Sequence, residues 1–136
     1  VVPEGSTMAT ISFVNAGLAN EENVSGRTFN LDENVSVVFS QGGAGTAPAY
    51  YANGEAVRLY QNGAVMDIAA NGKTITSIEI TFANNHYYIA PDSGEFSAEG
   101  PVRTWTGEAT AVKFTTTGTD KNHRAYIATL KVTYKN

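Results

Sequence analysis

The sequence predicts an all-β protein, a two-sheet antiparallel β-sandwich, on three observations. Apolar residues recur with period two along most of the chain, and no window sustains the i, i+3, i+4, i+7 spacing of an amphipathic helix. Asn-Gly pairs, which accept the positive φ of tight strand connections, punctuate its middle. Sixteen Thr and twelve Asn against five Lys is a balance that suits strands joined by turns. With 136 residues, 42% of them hydrophobic and 16% charged, there is material for one core and one domain.

Residues 1–7 read as a tail or linker and 8–136 as the domain. Ala9, Ile11 and Phe13 alternate with Thr10 and Ser12 as a first strand. Val35, Val37 and Phe39 alternate with Ser36, Val38 and Ser40 after the turn signal Asp32-Glu33-Asn34. The stretch Gln41-Gly42-Gly43-Ala44-Gly45 reads as a flexible surface loop. The pairs Asn53-Gly54, Asn62-Gly63 and Asn71-Gly72 then separate Glu55–Tyr60, Ala64–Ala69 and Thr74–Ala83, which read as a three-strand meander.

Within Thr74–Ala83, Ile78, Ile80 and Phe82 share a face that Ile75 does not, so a bulge is expected near Thr76-Ser77. Asn84–Thr106 loses regularity around Pro91, Gly94, Gly100 and Pro101 and reads as a long loop region. Thr110–Thr116 resumes alternation through Val112 and Phe114. In the last strand Tyr126, Ala128, Leu130, Val132 and Tyr134 alternate with Ile127, Thr129, Lys131 and Thr133. Strong patterning of both the first and last strands favours a jelly roll over an immunoglobulin-like arrangement. The expected core is Ile11, Phe13, Val37, Phe39, Leu59, Ile68, Ile78, Ile80, Phe82, Phe114, Leu130 and Val132.

Composition narrows function. A net charge of −4 with nine Lys+Arg and no basic cluster argues against nucleic acid and anionic lipid as ligands. Cys is absent, which excludes disulfides and thiolate chemistry. No apolar stretch is long enough to span a membrane as a helix. The chain starts Val1-Val2-Pro3 without Met, so a longer precursor is expected.

No nucleophile–base pair or metal-ligand spacing is evident around His86 and His123, so catalysis is not expected and a role in holding or positioning is. No cofactor is signalled. Asp92 near Glu95 and Asp120 near Asn122 offer oxygens that would suit a structural calcium ion, but neither spacing matches an EF-hand, and acidic turns without metal are more common.

The aromatic residues are the most informative. Neighbours in a strand point to opposite faces, so one ring each of Tyr50-Tyr51 and Tyr87-Tyr88 should leave the core. An exposed ring can stack on a pyranose while amides and guanidinium groups bind its hydroxyls. Asn84-Asn85-His86-Tyr87-Tyr88, with Arg103 and Trp105, has that make-up; the alternative is that these rings cap the ends of a sandwich.

Several stretches carry a family likeness: Pro48–Tyr60, Gly72–Phe82, Trp105-Thr106-Gly107 leading to Val112-Lys113-Phe114, and Leu130–Tyr134. Together they resemble a β-sandwich accessory module recurring in secreted and lipid-anchored proteins of Bacteroidetes-type bacteria, similar to carbohydrate-binding modules, over residues 8–135. The resemblance implies an extracellular or cell-surface location beside glycan-degrading, nuclease or adhesive domains.

Tyr50, Tyr51, Arg58, Tyr60 and Trp105 fall inside the shared pattern and Asn84–Val102 outside it. The expected glycan site is therefore Tyr87, Tyr88, His86, Asn85 and Arg103, with Trp105 or Tyr51 as a second platform. The expected function is a non-catalytic, monomeric carbohydrate-binding module holding an appended glycan-degrading enzyme to polysaccharide. The alternative is a structural or adhesive spacer with no glycan ligand.

Overall fold

The computed structural model describes residues 2–97 and 99–136. Among them, thirteen strands form two antiparallel sheets packed face to face, the sandwich that the alternation predicts. The smaller sheet takes β3 (Thr28–Asn30), β4 (Val35–Ser40), β7 (Val65–Ala70), β12 (Ala111–Thr116) and β9 (Ile89–Pro91), in that spatial order.

The larger sheet runs β10 (Glu95–Phe96), β11 (Val102–Ala109), β8 (Thr74–Tyr87), β13 (Ala125–Lys135), β6 (Ala56–Leu59), β5 (Ala49–Tyr51), β2 (Glu22–Asn23). Its eighth strand, β1 (Ser6–Ser12), also pairs with β13, on residues 129–135, while β6 pairs with 125–127. Two strands thus lie end to end along one edge of β13. The strands that end the two sheets, β10, β2, β3 and β9, are only two or three residues long and one carries Pro91, whereas β1, seven residues long, is paired along one side only.

The core is made of alternate residues from both inner faces. Val37, Phe39, Met66, Ile68, Val112 and Phe114 of the smaller sheet are fully buried, as are Val57, Leu59, Ile78, Ile80, Leu130 and Val132 of the larger. Phe13, Phe29 and Phe39 meet edge to face with centroids 5.4–6.0 Å apart, each pair adding about 0.5–1.5 kcal/mol beyond area burial. Eleven of the twelve expected core residues are buried; Ile11 is only partly so, packed at the margin of the core.

Several local expectations are corrected. The first strand begins at Ser6 and stops at Ser12, so Ser6 and Thr7 pair with Lys135 and Tyr134, and Phe13 opens a short 3-10 turn (Phe13–Asn15) while remaining fully buried. The meander is not formed. β6 and β8 belong to the larger sheet and β7 to the smaller, so Asn62-Gly63 and Asn71-Gly72 carry the chain between sheets, and only Asn53-Gly54 closes a hairpin, β5–β6. Alternation reports that a strand has one buried face, and inward faces of both sheets look the same in sequence.

The Gln41–Gly45 stretch is a surface loop, with Gly42, Gly43 and Gly45 exposed and Ala44 buried, and it is tied to the Asn62-Gly63 turn. A Cβ on Gly42, at φ 53°, would collide with the Gly63 carbonyl, and Gly43 donates its N–H to that oxygen at 3.3 Å.

The bulge expected at Thr76-Ser77 is present: Thr133 stands opposite Ser77 and Tyr134 opposite Ile75, skipping Thr76. A second, larger irregularity was not expected. Ile127 faces Phe82 and Ala125 faces Tyr87, so β8 places four residues, Ala83–His86, where β13 has one, Tyr126. Asn84 and Asn85 take left-handed φ values of 54° and 57°, a conformation Asn tolerates better than most residues. A further bulge on β13, where Thr129 faces Thr81 and Ile127 faces Phe82 with Ala128 unpaired between them, returns Ile127 to the core, so the face containing Leu130 continues through Ile127 and not through Ala128.

Candidate functional site

The bulge turns the end of β8 into a fork. His86 is thrown onto the outer face of the larger sheet, and Tyr87, opposite the fully buried Ala125, points to the mouth between the sheets. Tyr88 then carries the chain across to β9 of the smaller sheet, with its N–H donated to Arg124 O at 3.2 Å and its own carbonyl accepting Thr117 N–H at 3.0 Å.

At the mouth, the guanidinium of Arg103 lies 3.8 Å from the Tyr87 centroid, Tyr87 and Tyr88 are 5.3 Å apart at 30°, and Tyr88 and His123 are 5.0 Å apart. Arg103 is steadied by donation from Nε to Gly100 O at 3.0 Å. Tyr88 is 37% exposed and Asn85 is exposed, whereas Tyr87 is half-buried and meets Phe82 edge to face.

On the outer face a second row crosses four strands. Arg58 of β6 stands opposite Tyr126 of β13, with its guanidinium 4.6 Å from that ring and 3.8 Å from the ring of Tyr51 on β5. His86 closes the row at 4.2 Å from Tyr126. Tyr60, just after β6, donates its hydroxyl to Tyr51 at 2.9 Å, and the guanidinium of Arg124 lies 4.6 Å from the Tyr60 ring while its Nε donates to Gln61 Oε1 at 3.0 Å.

Electrostatics in this row disfavour ionisation. The Tyr60 phenol is pushed up to about 12, first by burial and then by Tyr51, with Arg58 acting in the opposite sense. His86 is pushed below its ordinary value first by burial; a contact with the Asn122 backbone works against this, and the positive charges of Arg124 and Arg58 add to it. The Nε of Arg58 and Nδ1 of His86 are buried without hydrogen-bond partners, and both side chains are stacked on Tyr126.

The structure therefore brings together Asn85, His86, Tyr87, Tyr88 and Arg103 at one end of the sandwich, and joins Tyr51 to them through Arg58, Tyr126 and His86. Trp105 is corrected. It lies on a regular strand opposite Ile78, is fully buried, and donates Nε1–H to Ser93 O at 2.6 Å. Its indole fills the space left by Gly94 and Gly107, where any Cβ would collide with it, so it is scaffold and offers no platform.

Arg58, Tyr60, Arg124 and Tyr126 are the participants that sequence reasoning did not assign to the site. The available signal was Arg58 between Val57 and Leu59, a cation in the middle of an apolar strand. Two of the oxygens considered for calcium are engaged with backbone: Asp92 Oδ1 accepts Lys113 N–H of β12 at 3.1 Å, and Asp120 Oδ1 accepts Asn122 N–H within its own turn at 3.0 Å. Among the described residues no three His, Asp or Glu side chains converge.

The arrangement is an open surface: among the described residues no pocket encloses a ligand. Comparison with protein-family models, with curated protein sequences and with solved structures finds no match.

Proposed function

We propose that the domain is a non-catalytic carbohydrate-binding module of an extracellular or cell-surface bacterial protein, holding appended glycan-degrading machinery to polysaccharide. One observation carries the reading: Tyr88 is the exposed ring of a stack whose other members, Tyr87 and Arg103, are fixed by the fold. A ring held against both Tyr87 and His123 keeps its orientation when a sugar packs on its exposed part, so little side-chain entropy is lost on binding. Asn85, exposed three residues before it, and the guanidinium of Arg103, stacked on Tyr87, would serve as hydroxyl partners.

The competing reading is a spacer whose tyrosines cap the sandwich, favoured by the edge contact of Tyr87 with Phe82. Affinity electrophoresis against β-glucans, xylans, mannans, pectins and host glycans separates the two. Retardation by at least one polymer, lost in Tyr88→Ala at an unchanged melting midpoint, is the expected result. Silence across the panel assigns the domain to the spacer class.

A further inference from the structure

Three of the four arginines, Arg58, Arg103 and Arg124, lie over tyrosine rings at this one end of the molecule. Among the described residues, carboxylates pair instead with Arg27, Lys131 and Lys135. In a chain with thirteen acids against nine Lys and Arg, three guanidinium groups free of carboxylates are an uneven distribution that folding alone does not require. The acceptors nearest them are used: Gly100 O takes Arg103 Nε–H and Gln61 Oε1 takes Arg124 Nε–H.

All three arginines are partly exposed, so this surface carries guanidinium donors although the Nε of Arg58 is buried. A neutral sugar hydroxyl is best held by a group that also accepts, a carboxylate or amide oxygen, whereas a guanidinium offers donors only. Its planar fork matches a carboxylate edge to edge, and stacking on tyrosine fixes the plane in which that fork lies.

We propose that this surface recognises uronic-acid-bearing polysaccharide, with Arg58, Arg103 and Arg124 receiving sugar carboxylates and the tyrosines receiving sugar rings. The inference rests on the glycan-binding reading above and names its ligand class. The overall charge of −4 repels a polyanion at long range, so affinity must come from these local contacts.

The test compares polygalacturonate with the same polymer carrying methyl-esterified carboxyl groups, alongside neutral glucan and xylan and a sulfated dextran, by calorimetry and affinity electrophoresis. Polygalacturonate should bind at least about tenfold more tightly than its ester, and Arg124→Gln should lose about tenfold at an unchanged melting midpoint. Arg58→Lys, which keeps the charge without the fork, should also lose affinity. Equal binding of acid and ester, or binding of neutral polymers alone, overturns the inference and leaves glycan binding standing. Preference for the sulfated dextran overturns carboxylate recognition. A lowered melting midpoint with unchanged binding in both arginine variants assigns these side chains to packing and also overturns it. Silence against every polymer ends both readings.

Discussion

Arg58 and Tyr126 face each other across adjacent strands on the outer side of the larger sheet, 4.6 Å from guanidinium carbon to ring centroid, and the tyrosine is 94% buried without entering the core between the sheets. The arginine on one side and His86 on the other provide that cover. Arg58→Ala should therefore destabilise the fold by about 1–2 kcal/mol through lost cation–π contact and packing. Urea denaturation monitored by tyrosine fluorescence measures it, and a loss no larger than that of an exposed lysine such as Lys73 would remove Arg58 from the packing account.

Two aromatic truncations should part company. Trp105→Ala removes a fully buried indole and should cost about 3–5 kcal/mol. Tyr88→Ala should change stability by under about 1 kcal/mol and glycan affinity by roughly 1–3 kcal/mol. Paired melting and binding curves decide both.

Thr116 is the one buried polar side chain among the described residues and works as a three-way junction. Its Oγ1 accepts Gly63 N–H at 2.8 Å and Ala64 N–H at 3.0 Å and donates to Tyr60 O at 3.0 Å. Thr116→Val keeps the shape and strands those backbone groups, so a loss of about 2–4 kcal/mol is expected. Thr116→Ser, measured in the same denaturation series, should recover more than half.

The lowered pKa of His86 sets a pH dependence. Above its ordinary value of 6.5 the imidazole is neutral in folded and unfolded chains alike and contributes nothing. As pH falls below 6.5 the unfolded chain takes up a proton that the folded site resists, so stability declines until the folded value is passed and then levels. His86→Phe, which keeps a ring against Tyr126, should flatten this slope between pH 6.5 and the carboxylate range. An unchanged slope would place the dependence elsewhere.

Asn84 and Asn85 should be replaceable by Gly with little loss, because both hold left-handed backbone. Asn85→Val, exposed and so free of packing effects, should cost about 1–2 kcal/mol by strain alone. Thermal melting of the two variants side by side gives the difference.

The legible part of this molecule was whatever a two-residue period encodes: the inner faces of β4, β8 and β12, and the opposite fates of Tyr50, buried, and Tyr51, turned outward. The bulge at Thr76 was legible for the same reason, since Ile75 breaks parity. Sheet membership was not, because Ile68 and Ile80 present the same pattern to the core from opposite sides. Trp105 was misplaced by its irregular surroundings, although Gly107 two residues on, along the same strand face, marks room for a large ring. The outer row was hidden because Tyr126 and Arg58 are 68 positions apart and meet only through strand register.

The last strand, β13, bonds β8 along one side and both β1 and β6 along the other. The larger sheet consequently has no centre until residues 125–135 have left the ribosome or the translocation channel: β1, made first, waits more than 110 residues for its partner. Folding must be late and all-or-none rather than progressive, with a high proportion of distant contacts slowing it. During that wait β1, β6 and β8 are open templates, which makes a chain shortened before Ala125 a candidate for chaperone capture or aggregation and not for a smaller working version of the domain.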